Sequence, residues 1–294
     1  MTIAYENMYL KTYINVKTRN FYVKTGASAH IFWDYTNLNI PRAIQKIAEL
    51  GFDSVEFLCD QPLYKTWGTT RAYATARVIR KTLENFGLTS TLHAPFHNLN
   101  IASYNAGVVK ETVRQTWDCV KVAEYIDSSI VVVHPGKVVS RFFKREDAMT
   151  NMIKNLGKVI TRAEKIEVTV CLENLPLTSK PLCTDVEEIR QVMVSIDSKN
   201  LGVTLDVAHA NTTGTAPETY ARKLKKYIKH VHVSDNTGSD NHLPIGLGNI
   251  DFQTVLRELK PYHGILNIEG WMPHNQEYFL AWDKQKLDMI LKCL

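Results

Sequence analysis

Six side chains of this 294-residue sequence could bind a metal ion, and each lies at or near the end of a short apolar run. They are His93, His134, Glu173, Asp206, His232 and Glu269. Imidazoles and carboxylates are common metal ligands. A carboxylate at the end of an apolar strand is costly to bury without a partner, and a divalent cation can serve several of them at once. The pattern therefore predicts one shared metal site.

The types of ligand narrow the choice of ion. Imidazoles mixed with carboxylates, without thiolates, suit zinc, manganese, cobalt or iron better than calcium or magnesium. His209 follows Asp206 by three residues and could reach the same cavity. Asp240 and His242 flank one residue, so they can point the same way in an extended segment. With His209, they predict a further metal-binding position beside the first. The sequence therefore predicts one to three zinc or manganese ions per chain.

Each of these residues also has a purely structural explanation when it is taken alone. His134 could be a hydrogen-bonded histidine at the end of a strand, Glu173 could cap the next turn, and Asp206 could cap a helix. Six such accidents at the same relative place are much less plausible than one site. The metal site is therefore the favoured interpretation.

Eight β-rich runs alternate with longer segments of helical spacing. The strand candidates are 29–33, 54–58, 89–93, 129–134, 168–173, 202–206, 230–234 and 264–269. The helical candidates are 41–50, 72–86, 106–125, 145–166, 185–194, 217–227, 251–259 and 283–291. Eight such units predict a single-domain α/β protein, a (β/α)8 TIM barrel over residues 28–294, with residues 1–27 as an N-terminal extension.

This barrel would explain why the six side chains follow strands, because active sites in such barrels lie at the carboxyl ends of the strands. A doubly wound open sheet is the structural alternative. Its dinucleotide-binding form begins with a glycine-rich turn, and the sequence has no such turn after its first strand candidate.

Composition restricts the class of protein only broadly. No run of 18 apolar residues predicts a membrane helix, and the N-terminus has no apolar core like that of a secretory signal. Five scattered cysteines without C-x-x-C spacing predict reduced thiols and a cytoplasmic protein. The formal charge of +5 permits a phosphate-bearing partner without requiring one. No feature indicates an obligate protein partner.

Seven segments, in order along the chain, resemble the xylose isomerase-like TIM barrels. They are HAPFHNLNIAS (93–103), VVVHPG (131–136), CLENLP (171–176), TLDVAHA (204–210), HVHVSD (230–235), DNHLPIGLGNIDF (240–252) and NIEGW (267–271). The resemblance covers nearly all of the chain from about residue 28. That superfamily includes sugar and sugar-phosphate isomerases and epimerases, and also the endonuclease IV type of apurinic/apyrimidinic endonuclease.

The isomerase and epimerase branch implies one divalent ion held by Glu173, Asp206, His232 and Glu269. It also implies that Glu173 and Glu269 act as acid and base in proton transfer next to a carbonyl, while the metal stabilises the enediolate. His209 would help to position the substrate, a small sugar or sugar phosphate. Of the cations in the loop after the fourth strand, a phosphate would need only one or two, and we assign Lys137 to this role.

The endonuclease IV branch implies a trinuclear zinc cluster and, as the alternative partner, DNA with an abasic site. Its nine ligands match His93, His134, Glu173, Asp206, His209, His232, Asp240, His242 and Glu269. Phe96 lies where a side chain could press on a distorted DNA backbone. Two loops would supply a basic and aromatic rim, through Tyr64, Lys65, Trp67 and Arg71 in one and Lys137, Arg141, Phe142, Phe143, Lys144 and Arg145 in the other.

The amino-acid sequences of two motifs favour the isomerase and epimerase branch. ENLPLTS and DVAHAN stand where endonuclease IV-like proteins usually show segments of the type ENTAGQG and DTCH. The first hypothesis is therefore a metal-dependent sugar or sugar-phosphate isomerase or epimerase, and the alternative is an endonuclease acting at abasic sites. A metal-binding barrel without catalysis is the third hypothesis, and it would require a closed coordination shell.

Overall fold

Eight parallel strands close one barrel in the computed structural model, which describes residues 23–34, 38–60, 71–270, 272 and 274–294. The strands are β1 (Lys24–Ser28), β2 (Ser54–Leu58), β3 (Thr89–His93), β4 (Ile130–Val133), β5 (Thr169–Glu173), β6 (Leu201–Asp206), β7 (Ile228–Val233) and β8 (Ile265–Ile268). Each strand pairs with the next in sequence, and β1 also pairs with β8. The predicted (β/α)8 barrel is confirmed, and closure excludes the open sheet.

Helices connect the strands around the outside. They are α1 (Ile40–Glu49), α2 (Ala72–Phe86), α3 (Ala106–Tyr125), α4 (Arg145–Ala163), α5 (Val186–Ile196), α6 (Val207–Asn211), α7 (Pro217–Leu224), α8 (Phe252–Leu259) and α9 (Gln276–Lys292). Short polar side chains fix several of their starts, as Asn39, Asn105, Asp185 and Asp251 each accept a hydrogen bond from a backbone N–H of the first turn. In the described ranges, every helix is too short or too polar to cross a membrane.

Apolar side chains at helical spacing attach the helices to the barrel. Met152, Leu156 and Ile160 of α4 are buried on one side of that helix, and Ile44 and Ile47 of α1 are buried likewise. All four residues of β4, IVVV, are buried, as expected for a strand covered on both faces.

The first predicted strand is wrong. Residues 29–32 form a short 3-10 helix, and the strand is the preceding segment KTGAS. A β-carbon on Gly26 would lie 3.0 Å from the side chain of Asn267, so the close approach of β1 to β8 favours glycine although glycine is a poor strand former. The barrel therefore begins before the predicted boundary at residue 28, and residues 1–22 lie outside the described part.

The remaining elements differ from the predictions mainly at their ends. The strands after the first match within about two residues. The sequence patterns missed the short helix α6, and α9 begins seven residues before its predicted start at residue 283. The strand register matters most for function. It pairs Asp206 with His232 and His232 with Asn267, which brings the strand ends to one level.

Candidate metal centre

Glu173, the last residue of β5, lies at the centre of the polar side chains at this end of the barrel. It is only 1% exposed. Its Oε2 lies 3.1 Å from Nε2 of both His93 and His134. Its Oε1 lies 3.0 Å from Nδ1 of His232 and 3.5 Å from Nδ1 of His209. One carboxylate therefore contacts imidazoles from four segments of the chain.

Three carboxylates and one imidazole form the first group of candidate ligands. The ligand atoms of Glu173, Asp206, His232 and Glu269 all lie within 4.8 Å of one another. Carboxylates at this separation repel one another when they are ionised. Oδ2 of Asp206 is buried and has no hydrogen-bond partner in the described chain. This donor set fits a divalent cation, which would neutralise the carboxylates and bind the free oxygen.

Two further groups lie beside the first. One consists of His93, His134 and Glu173, and the other of His209, Asp240 and His242, each with ligand atoms within 4.8 Å. Asp240 Oδ1 lies 3.1 Å from Nε2 of His242 and 3.6 Å from Nε2 of His209. The structure thus brings together all nine side chains that the sequence suggested. Their role as ligands stays a prediction.

Protons and metal ions would compete for these nitrogen atoms. Burial acts to lower the pKa of His93, but its hydrogen bond with Glu173 raises that pKa to about 9. Burial also opposes protonation of His242, whose partner Asp240 raises its pKa to about 9. Because a metal ligand must be deprotonated, we expect metal affinity to fall as the pH is lowered.

The loop that carries Asp240 and His242 is held from two sides. The Asp235 carboxylate accepts hydrogen bonds from the backbone N–H groups of Gly246 and Ile250. From α9, Trp282 donates to the carbonyl of Ile245. Two positions in this loop require glycine. Gly246 has φ +88°, and a β-carbon on Gly248 would lie 2.1 Å from Asp235.

Asp283 of α9 accepts a 2.7 Å hydrogen bond from the backbone N–H of Ile245 and is 4% exposed. Burial raises its pKa to about 7, although the Ile245 bond acts to lower it. A carboxyl whose folded pKa exceeds its unfolded value is stabilising at low pH and loses that contribution as pH rises from about 4 to 7. We expect Asp283→Asn to increase the free energy of unfolding at pH 8 by roughly 1 to 3 kcal/mol, and by much less near pH 4.

Denaturant unfolding across this pH range would measure the effect. Asp288→Asn is the matched control, because Asp288 lies on the same helix, is 42% exposed and pairs with Lys284. A gain that is the same at every pH would contradict the burial of an ionisable carboxyl as its cause.

Glu56 is a site residue that the sequence analysis missed. It lies in the middle of β2 and is 1% exposed. It accepts hydrogen bonds from Thr91 Oγ1 at 2.9 Å and from His230 Nε2 at 2.9 Å. Its Oε1 also lies 3.0 Å from Nε2 of His232. Glu56 therefore lies against the far side of the His232 ring, while Nδ1 faces Glu173 and Glu269.

A cavity of about 670 Å³ opens over the three groups. Phe96, Lys137 and His209 all line it. The ring of Phe96 stacks on His134 with 4.2 Å between centroids, so it covers one of the candidate ligands. The backbone of Lys137 is fixed by Asn100, which donates to its carbonyl at 2.9 Å. The three residues are placed where substrate could touch them, and their binding roles stay predictions.

Only some of the side chains predicted to form a basic and aromatic rim can be placed, and one of the placed cations is already paired. Tyr64, Lys65 and Trp67 lie outside the described residues. Arg145 is paired with Glu188 and is therefore not free to bind a phosphate. Arg141 lies over the ring of Phe142, which is 81% exposed.

His242→Ala tests whether the outer group binds an ion of its own. Because His242 is one of only three side chains in that group, its loss should lower the metal content per chain by about one equivalent. Metal analysis after dialysis against a zinc-buffered solution would measure this. His263→Ala is the control, because His263 is exposed and precedes β8, at the end of the barrel opposite the three groups. An unchanged metal content would remove the outer ion.

Solved structures and curated relatives resemble this chain over most of its length. A D-tagatose 3-epimerase-like protein superposes with a TM-score of 0.81 and 32% identity, covering 92% of this chain and 98% of the other. An uncharacterised protein of Methanocaldococcus jannaschii is 34% identical over 255 residues, 84% of each chain. A probable endonuclease 4 of Aquifex aeolicus is 25% identical over 238 residues, which cover 76% of this chain and 83% of that one.

The family match agrees with the fold and with the predicted resemblance. Residues 44–288 match the family described as xylose isomerase-like TIM barrel. This range runs from the first helix to the last and includes all nine candidate ligands. The chain belongs to the xylose isomerase-like TIM barrel family.

Proposed function

We propose that this protein is a metal-dependent isomerase or epimerase acting on a small sugar or sugar phosphate. The observation that carries the proposal is the group of Glu173, Asp206, His232 and Glu269, of which Glu173 and Glu269 line an open cavity of about 670 Å³. The similarity to an epimerase-like structure at 32% identity supports the same reaction class.

The two glutamates would move the proton. Each is a carboxylate beside His232, with Glu269 Oε2 2.7 Å and Glu173 Oε1 3.0 Å from Nδ1. The Glu269 side chain is 14% exposed and that of Glu173 is 1% exposed, so Glu269 is the more accessible to a substrate in the cavity. We assign removal of the proton next to the carbonyl to the Glu269 carboxylate. Delivery of a proton to the opposite face is assigned to Glu173, which must first take up a proton from solvent, while the proton on Glu269 is released to solvent.

A zinc or manganese ion held by the four side chains would polarise the carbonyl and stabilise the enediolate. The remaining residues would orient the substrate. His209 donates from Nδ1 to the carbonyl of Asn174 at 2.9 Å, which leaves Nε2 to face the cavity. Phe96 supplies an apolar wall.

The charge of the cavity bears on the choice of substrate. Lys137 is the one lysine or arginine among the described residues that line it. This supports a neutral sugar or one carrying a single phosphate. We keep the cytoplasm as the proposed location, a choice that the five free cysteines support.

Proton exchange with solvent tests the reaction class without a known substrate. Protein loaded with manganese or zinc would be incubated in deuterium oxide with a panel of ketoses and their phosphates. We expect deuterium to enter the carbon next to the carbonyl of at least one, and exchange to stop after prolonged chelation. Metal-loaded protein that exchanges no compound of the panel would count against the proposal.

An endonuclease acting at abasic sites is the second candidate, and the convergence of nine candidate ligands into three adjacent groups favours it. With metal-replete protein, nicking 5′ to an abasic site in a duplex oligonucleotide would support it, provided that chelation removes the activity. Absence of nicking would count against the endonuclease and favour the isomerase or epimerase reaction. The open cavity supports either enzyme over a metal-binding barrel without catalysis.

A further inference from the structure

A groove between α3 and α4, on the outer wall of the barrel, is lined by cations. It encloses about 740 Å³, and its charged residues are Lys110, Arg114, Lys154, Lys158 and Arg162. No carboxylate is among the described residues that line it. Arg114 forms ion pairs with Glu111 and Asp118 beside the groove. The other four cations are exposed, so the groove concentrates positive charge.

The spacing of these cations suits a linear anion. Lys154, Lys158 and Arg162 follow one another at intervals of four residues, which places them along one side of α4 at steps of about 6 Å. Lys110 lies across the groove on α3. A single phosphate would meet one or two of these charges. A chain of phosphates would meet all four.

Aromatic rings adjoin the end of the groove nearest the metal centre. Tyr104 lines the groove and stacks on Phe143 with 4.0 Å between centroids. Phe142, which precedes Phe143 in the chain, is 81% exposed. Exposed rings beside a row of cations suit the bases of a single strand, whereas an acidic peptide would have no need of them. Ser103 lines both the groove and the cavity of the metal centre, so the two are adjacent.

We propose that the α3–α4 groove binds a single-stranded nucleic acid, with phosphates along α4 and bases against the rings of Tyr104, Phe142 and Phe143. None of the groove residues is among the nine candidate metal ligands. The proposal therefore stands apart from the reaction assigned to the metal centre.

Fluorescence anisotropy with a labelled oligothymidylate of about 12 nucleotides tests it on the full chain. The logarithm of the association constant should fall with the logarithm of salt concentration with a slope of roughly −2 to −3, as expected for four phosphate contacts. Lys110→Gln, Lys154→Gln and Lys158→Gln combined should weaken binding at least about tenfold and reduce the slope by roughly 2. Phe142→Ala should weaken binding and leave the slope unchanged.

Lys199→Gln, Lys225→Gln and Lys226→Gln remove the same charge from exposed positions outside the groove and should leave binding intact. All six lysines are exposed, so thermal unfolding should show that both triple variants fold normally. Three results would overturn the proposal. These are no binding at low salt, equal weakening by the two triple variants, and binding of polyglutamate as tightly as the oligonucleotide.

Discussion

Glu269→Gln should reduce kcat by roughly 10²- to 10⁴-fold on any substrate found by the exchange assay, because the amide cannot accept the proton. The substitution keeps the size of the side chain. The Glu269 carboxylate faces the cavity, where it is 14% exposed, so the fold should survive its replacement. Steady-state kinetics and thermal unfolding would measure the two properties separately. A fully active variant would contradict the proposed site.

Loss of the proton acceptor must be separated from loss of the metal, since Glu269 is also a candidate ligand. Metal content and substrate KM should therefore be measured on the same preparation. A variant that retains its metal and its KM but loses kcat supports proton transfer. Glu187→Gln, at a side chain that is 71% exposed on α5, is the matched control and should behave as the wild type.

The sequence predicted which side chains lie together at the rim better than it predicted some of the elements that carry them. A buried parallel strand that ends in an acid or an imidazole gives a local signal, and the barrel then requires all such ends to meet at one rim. Six of the nine candidate ligands were found in this way. His209, Asp240 and His242 were placed beside them by their spacing and by the family resemblance, and the structure brings them within ligand distance of one another.

The first strand illustrates what local patterns cannot show. KTGAS has few of the residues that favour strands, whereas AHIFW has several, so propensity favours the wrong segment. The actual choice depends on contacts with β8, where a side chain at Gly26 would crowd Asn267. Such contacts join residues about 240 positions apart, and no window along the sequence contains them.

Glu56 was missed for a related reason. It stands in the middle of its strand, so the rule that selected strand ends passed over it. A signal was nevertheless present in SVEFL, a carboxylate among apolar residues in a buried strand. Its partners come from four other strands, through Ser28, Thr91, His230 and Asn267. Only the closed barrel brings them together.

These contacts predict that Glu56→Gln lowers metal affinity by roughly 10- to 100-fold, the usual effect of removing the partner that orients a ligating histidine. The amide introduced by this substitution would present a donor to groups that already donate to the carboxylate, and His232 would lose the negative charge 3.0 Å from its Nε2. Calorimetric titration of the metal-free protein with zinc or manganese would measure the affinity. The free energy of unfolding should also fall, since a buried hydrogen-bonded charge is disrupted.

Thr91→Val separates the two effects. It removes one donor to Glu56, at 2.9 Å, but leaves the carboxylate beside His232. We expect it to destabilise the protein by about 1 to 3 kcal/mol while metal affinity stays within a few-fold of wild type. Equal losses of affinity in the two variants would mean that Glu56 acts only through general stability. A loss of affinity confined to Glu56→Gln would mean that Glu56 sets the orientation of the candidate ligand His232.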